Sequence, residues 1–189
     1  MGMRSATSLL ALASLLTACG GRSAAGGFHP SGDASAPGTG AVGSISPGSA
    51  TDSRSAAAAA GASQSALAAY RRYQSGYETA YETNDASVLN AVAMDPLLAQ
   101  VSQDVADVRA KGLIWRFHNV LNPGVQGRSK DGSAVVILDC VHTLGAYKFD
   151  AKTGKRLNAW RGGSRQYQAI MRFAGNTWKI SDARQGGKC

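Results

Sequence analysis

Cys19 is the first residue whose neighbours specify a chemistry. It follows Leu16-Thr17-Ala18 and precedes Gly20-Gly21. Small residues just before a cysteine suit proteolytic cleavage of an export signal there, and the cysteine brings a thiol to the cut. Asp139 is the second candidate. It shares strand parity with Val135, Ile137 and Val141 in the most apolar run of the chain. A carboxyl facing such an interior has its pKa raised by desolvation and is able to serve as a general base. The plainer expectation for Asp139 is a partner arginine or backbone amide. His118 alternates with Arg116 on the wetter side of its segment and is expected at the surface. His142 has the parity of Val136, Leu138 and Cys140, which suits a packed or edge histidine better than a base or ligand. Tyr70, Tyr73, Tyr77 and Tyr81 recur at helical steps and are expected to pack as core rather than line a pocket. His29 stands alone in a Gly/Ala/Ser-rich stretch, and no Cys/His cluster has metal-ligand spacing. There is no GxSxG, P-loop or GxGxxG, and no base and nucleophile are visibly paired. The sequence therefore points to no metal, no cofactor and no committed reaction.

The residues before Cys19 explain why its thiol matters. Arg4 gives a positive start, Ser5 to Leu15 form an apolar run with Leu9, Leu10, Leu12 and Leu15, and Thr17-Ala18 are small. This is the anatomy of an export signal. The run of about 14 residues is too short for the roughly 20 that a spanning helix needs. Leu16 to Cys19 look like a bacterial lipobox. That resemblance implies cleavage after residue 18, a thioether-linked diacylglycerol on Cys19, and tethering to the outer face of the cell membrane. Two or more acyl chains anchor stably where one does not. An ordinary cleaved signal with an incidental cysteine is the alternative.

Export changes what charge and cysteines mean. The 189 residues carry a formal net charge of +8, which in a cytosolic protein would suggest nucleic acid. Outside the cytoplasm, nucleic acid is not expected. An anionic surface, anionic lipid headgroups or an acidic envelope protein fit better. The charge is uneven. Residues 63–112 hold four Lys/Arg and six Asp/Glu, while residues 113–189 hold thirteen and four. With Cys19 lipidated, Cys140 and Cys189 remain in an oxidising compartment and are expected to pair. Closing a loop of about 50 residues would contribute about 4 kcal/mol in the chain-entropy view.

These groups need elements to position them. Residues 1–18 read as the signal. Residues 19–62 read as a lipidated cysteine and an unordered linker, since 35 of the 43 positions from 20 to 62 are Gly, Ala, Ser, Thr or Pro. Such a stretch buries too little apolar surface to offset its ordering entropy. Residues 63–189 read as one domain. A first helix is expected over 64–83, a short second one capped by Asp85, and a third starting at Asp95-Pro96 and stopping at Gly112. After Gly112 the period changes to two. Strands are expected over 113–120, 134–143, 147–149, 156–160, 167–173 and 178–182. Turns are expected at Asn122-Pro123-Gly124, Lys130-Asp131-Gly132, Lys152-Thr153-Gly154 and Gly175-Asn176.

Three helices followed by antiparallel strands is an α+β pattern. Its order and length resemble the NTF2-like, or SnoaL-like, superfamily, whose cystatin-like cone packs three N-terminal helices on a curved antiparallel sheet. The lipobox, the Tyr-rich first helix, Asp139-Cys140, Trp178-Lys179-Ile180 and Gly187-Lys188-Cys189 are similar to small actinobacterial lipoproteins of unknown role. Superfamily members include isomerases, dehydratases and cyclases that use a carboxylate in the cone, and the resemblance makes Asp139 the weak catalytic candidate. They also include non-catalytic modules of larger assemblies. The expected function is accordingly a membrane-anchored binding domain, with a small-molecule enzyme as the alternative. A small apolar ligand, an envelope protein or a second copy of the chain are the partners that this resemblance admits.

Lys148, Lys152, Lys155, Arg156, Arg161 and Arg165 fall close together, opposed only by Asp150 and interleaved with Tyr147, Phe149 and Trp160. An exposed hairpin of this composition suits an anionic partner. The plainer reading is a solvated hairpin whose charges keep a sheet edge from pairing with other chains.

Overall fold

The computed structural model describes residues 48–189, with side chains from Asp52 onward. The signal segment 1–18, Cys19 and the linker as far as residue 47, His29 included, lie outside the described residues. The described chain has helix α1 (Gly48–Thr83), one 3-10 turn (Ala86–Leu89), helix α2 (Leu97–Ala110) and five strands. The strands are β1 (Leu113–Val120), β2 (Pro123–Arg128), β3 (Ala134–Asp150), β4 (Arg156–Ala174) and β5 (Thr177–Gln185). They form one curled antiparallel sheet. Among the described residues, no helix is long and apolar enough to cross a membrane.

The expected three helices become two α-helices and a single turn. Asp85 does cap the turn, its Oδ1 accepting from Ser87 N–H at 2.9 Å. The chain cannot continue as helix because residues 92–94 are drawn to the last strand. Met94 N–H donates to Ile180 O, and Ile180 N–H donates to Val92 O. Asp95-Pro96 still opens α2, but Pro96 stands at the cap position and Leu97 is the first helical residue. Asp95 Oδ1 accepts from Ala99 N–H at 3.1 Å. Gly112, with φ +67°, ends that helix as expected.

Helix α1 starts at Gly48 rather than residue 64, so residues 48–62 of the expected unordered linker are helical. Ala56 to Ala60 have the highest helix propensity available. A helix nucleated by packing further along extends through them at little cost. Packing begins at Ala66 and continues through Ala69, Tyr70, Tyr73 and Ala80 on one face. That face meets Val135, Ile137, Ala169, Met171 and Ile180 of the sheet and Leu97, Val101 and Val105 of α2. Each large apolar side chain so buried contributes about 1.5–3 kcal/mol. The solvent-exposed alanines before residue 62 contribute almost none of this.

The sheet is simpler and longer-stranded than the sequence suggests. The expected strands 134–143 and 147–149 are one strand, β3, and 156–160 and 167–173 are one strand, β4. Both run on without breaking. At Gly162 a Cβ would lie 1.7 Å from Thr143 O, so only glycine lets the two strands pass there. Asn122-Pro123-Gly124 is not a turn: Pro123 starts β2 and pairs with Asp139. Pro is tolerated because β2 is an edge strand. β2 lines the first half of β3, β1 lines the second half, and β4 runs along the other side. β5 covers β4 only over Tyr167–Ala174.

Candidate functional site

Asp139 faces the interior, as its parity implied. It is 1 % exposed and stands in β3 between Ile137 and Val141, both buried. Its Oδ1 accepts from Asn122 N–H at 2.7 Å. Its Oδ2 is buried without a hydrogen-bond partner. The Tyr70 hydroxyl lies within reach of its charge. Burial first, and the Asp139 carboxylate second, push the Tyr70 phenol pKa well above its ordinary value. Gln74 Nε2 donates to that hydroxyl at 2.9 Å. The arrangement is a backbone amide, a carboxylate, a phenol and an amide enclosed by apolar side chains.

The helix-1 tyrosines divide into core and wall. Tyr70 and Tyr73 are buried. Tyr77 and Tyr81 are half-buried, with ring centroids 4.9 Å apart, and each packs on Phe117 at 5.8 and 5.9 Å. A cleft of about 190 Å³ remains beside them, bordered by Tyr73, Tyr77, Tyr167, Gln74, Asp104 and Asn119. Asp139 does not line it, and Gln74 connects to Asp139 only by way of Tyr70. Burial raises the phenol pKa values of Tyr73, Tyr77 and Tyr167. Burial thus favours the neutral form of these hydroxyls.

His118 and His142 are at the surface. His118 Nδ1 meets Glu78 Oε2 at 3.1 Å with two-thirds of its side chain exposed (67%). Glu78 Oε1 also accepts from Asn119 N–H at 2.7 Å. Glu78 thus ties α1 to β1, a role with no signal in the sequence because its partners lie some forty residues away. His142 is exposed and its Nδ1 lies 2.9 Å from Ser164 Oγ. Cys140 and Cys189 form the expected disulfide, with an S–S distance of 2.09 Å. A hollow of about 370 Å³ beside it is bordered by Asn122, Gln126, Leu138, Gln166 and the cystine. Asp139 borders it too, but its sealed carboxylate is out of reach from there.

The basic residues gather on one exposed arm. Every residue from Ala151 to Gly163 is exposed, as is Arg165, while Lys148 is half-buried. Trp115 and Trp160 stack across β3 with centroids 4.8 Å apart and planes 18° apart. Lys148 Nζ sits 4.9 Å from the first ring and 5.2 Å from the second. Trp115 thus packs with the arm. Arg156 lies over Tyr147, and Arg116 over Phe149. Asp150 is engaged in the turn, its Oδ1 accepting from Thr153 N–H at 2.7 Å and Lys152 N–H at 3.0 Å. Among the described residues, none of the six basic side chains is in an ion pair; the pairs are Arg116–Glu82, His118–Glu78 and Arg184–Asp182.

No family model matches this sequence, and no curated protein does. The fold is similar to that of the intermembrane space region of the chloroplast protein ARC6, with a TM-score of 0.55 and 14% identity over 67% of this chain and 97% of that one. A protein of the NTF2-like family from Streptomyces avermitilis gives a TM-score of 0.46 at 10% identity, over 67% of this chain and 99% of that one. A protein with a cystatin-like fold from Caulobacter vibrioides gives 0.41 at 9%, over 66% and 90%. At such identities the first likeness speaks for the fold alone.

Proposed function

We propose that the chain is an extracytoplasmic lipoprotein, held to a membrane through acylated Cys19, whose NTF2-like domain binds a partner instead of catalysing a reaction. The observation that carries the binding reading is the sealed interior. The carboxylate best placed for chemistry is 1 % exposed and holds a backbone amide, and the nearby cleft does not include it. A general base must come within hydrogen-bond reach of its substrate. The exposed surface, by contrast, offers cations that are in no ion pair among the described residues, beside exposed aromatic rings. The anchored, exported location is supported by Leu16 to Cys19 and by the Cys140–Cys189 disulfide, since disulfides persist outside the reducing cytoplasm.

A second reading, a small-molecule enzyme using Asp139, is favoured by one observation: Asp139 is a buried carboxylate held by a single backbone amide and in interaction with the Tyr70 hydroxyl. Asp139→Asn separates the two. It keeps an acceptor for Asn122 N–H and removes the charge. The binding reading expects a folded variant to complement a deletion of the gene in the host. A variant with wild-type thermal stability that behaves like the deletion would make the carboxylate a chemical group and overturn the reading.

A further inference from the structure

The sheet has one long open edge. β4 pairs with β3 along its length, but on its other side β5 joins only from Tyr167. The C-terminal segment closes the ladder at the next residue. Gly186 N–H donates to Gln166 O at 2.7 Å, and Gln166 N–H donates to Gly187 O at 2.9 Å. The chain then crosses to Cys140, where the disulfide fixes it. From Arg156 to Arg165, no strand among the described residues lies against the free side of β4. Ala159 N–H donates to the side chain of its own neighbour, Asn158 Oδ1, at 2.7 Å. Unpaired strand edges are templates for another strand.

We infer that this edge takes up an extended acidic segment of a partner protein as an added strand. The inference rests on the binding reading above and names the partner's chemistry. Main-chain hydrogen bonds would supply affinity and the side chains alongside would supply selectivity. Those side chains are Arg156, Arg161 and Arg165 on the edge strand, with Lys148, Lys152 and Lys155 beside it. Gly162-Gly163 leave the middle of the edge free of bulk. Trp160 and Leu157, 38 % and 50 % exposed, give apolar contact.

Two other occupants fit less well. A second copy pairing edge to edge would set arginines against arginines, and like charges directly opposite destabilise a sheet. An anionic bilayer fits the charge but not the composition of the arm's tip. Asn84, just past the C-terminal end of α1, bonds Leu113 O. Leu113 pairs with Asp150, beside the turn at the tip of the arm. Gly48, where the chain arrives from the expected anchor, lies about 50 Å away along the helix at 1.5 Å per residue. The tip of the arm, Ala151–Lys155, has no large apolar residue to insert into a bilayer.

The test uses the full chain carrying Cys19→Ala and a short synthetic peptide of alternating glutamate and threonine. The expected result is binding read by tryptophan emission, with slowed amide hydrogen exchange over 156–165. Methylating alternate peptide nitrogens on the pairing side should weaken binding about tenfold or more, because each lost hydrogen bond contributes roughly 1 kcal/mol. Arg161→Glu with Arg165→Glu should weaken it at least comparably, through lost complementarity and added repulsion. Equal binding of the methylated peptide would overturn strand addition without any change to the protein. So would an absence of peptide binding beside arginine-dependent binding to phosphatidylglycerol vesicles, or protection of 156–165 by self-association in a sedimentation experiment. Any of these failures leaves the non-catalytic reading to stand or fall on Asp139→Asn.

Discussion

At the scale of single residues, the interior is defined by polar groups that cannot ionise or exchange partners freely. Tyr70, Tyr73 and Tyr77 have phenol pKa values raised from 10.0, chiefly by burial. The folded pKa lies above the unfolded one, so their contribution to stability is fully present below pH 10 and is lost as pH rises beyond it. Stability should therefore fall steeply above pH 10, with tyrosinate absorbance from these residues appearing together with loss of near-ultraviolet circular dichroism. Tyrosinate signals from all three in a chain that remains folded would contradict the burial argument. Parity in the apolar run from Val135 to Val141 was enough to turn Asp139 inward, because period two is a local property. Its partner was not legible. Asn122 reaches it across the β2–β3 pairing, and the sequence around Asn122 and Pro123 carries the marks of a turn. Glu78 likewise reads as an ordinary helix charge until β1 folds against it.

At the scale of elements, the two long strands and the C-terminal strap set what is exposed. The strap holds the last residues against β3 and ends the β4 ladder at Gln166. Removing it with Cys140→Ala and Cys189→Ala should lower stability by about 2–4 kcal/mol, since the bridge closes a long loop in the unfolded chain. Thermal or urea unfolding of the double variant measures this, and wild-type stability would show that the bridge is dispensable. The pairing itself was legible, because compartment and cysteine count leave two thiols. The continuity of β3 and β4 was not. Gly145 and Gly162-Gly163 look like interruptions, yet at Gly162 the missing side chain lets the two strands stay in close contact. The early start of α1 was missed for a related reason. A Gly/Ala/Ser composition suggests an unordered chain, whereas a helix already nucleated by the Ala66–Ala80 face propagates through alanines.

At the scale of the whole molecule, a packed interior and an open, charged edge describe a domain suited to holding something at its surface. The mature N-terminus would keep that domain near a membrane. Cys19→Ala should move the protein from the membrane fraction to the soluble extracytoplasmic fraction of the host, and continued membrane retention would refute the lipid anchor. The α+β order, the helix face and the strand periods were readable because each arises from neighbours in sequence. Which edge stays open depends on where β5 stops and how the tail folds back, and such long-range closure leaves no local pattern. The measurement that bears most directly on the central claim is native mass spectrometry of the protein gently extracted from its own envelope, beside the Arg161→Glu, Arg165→Glu variant. A polypeptide that accompanies the wild-type chain and is lost from the variant is the predicted result. A small molecule retained by the domain in both, with no polypeptide partner, would contradict it.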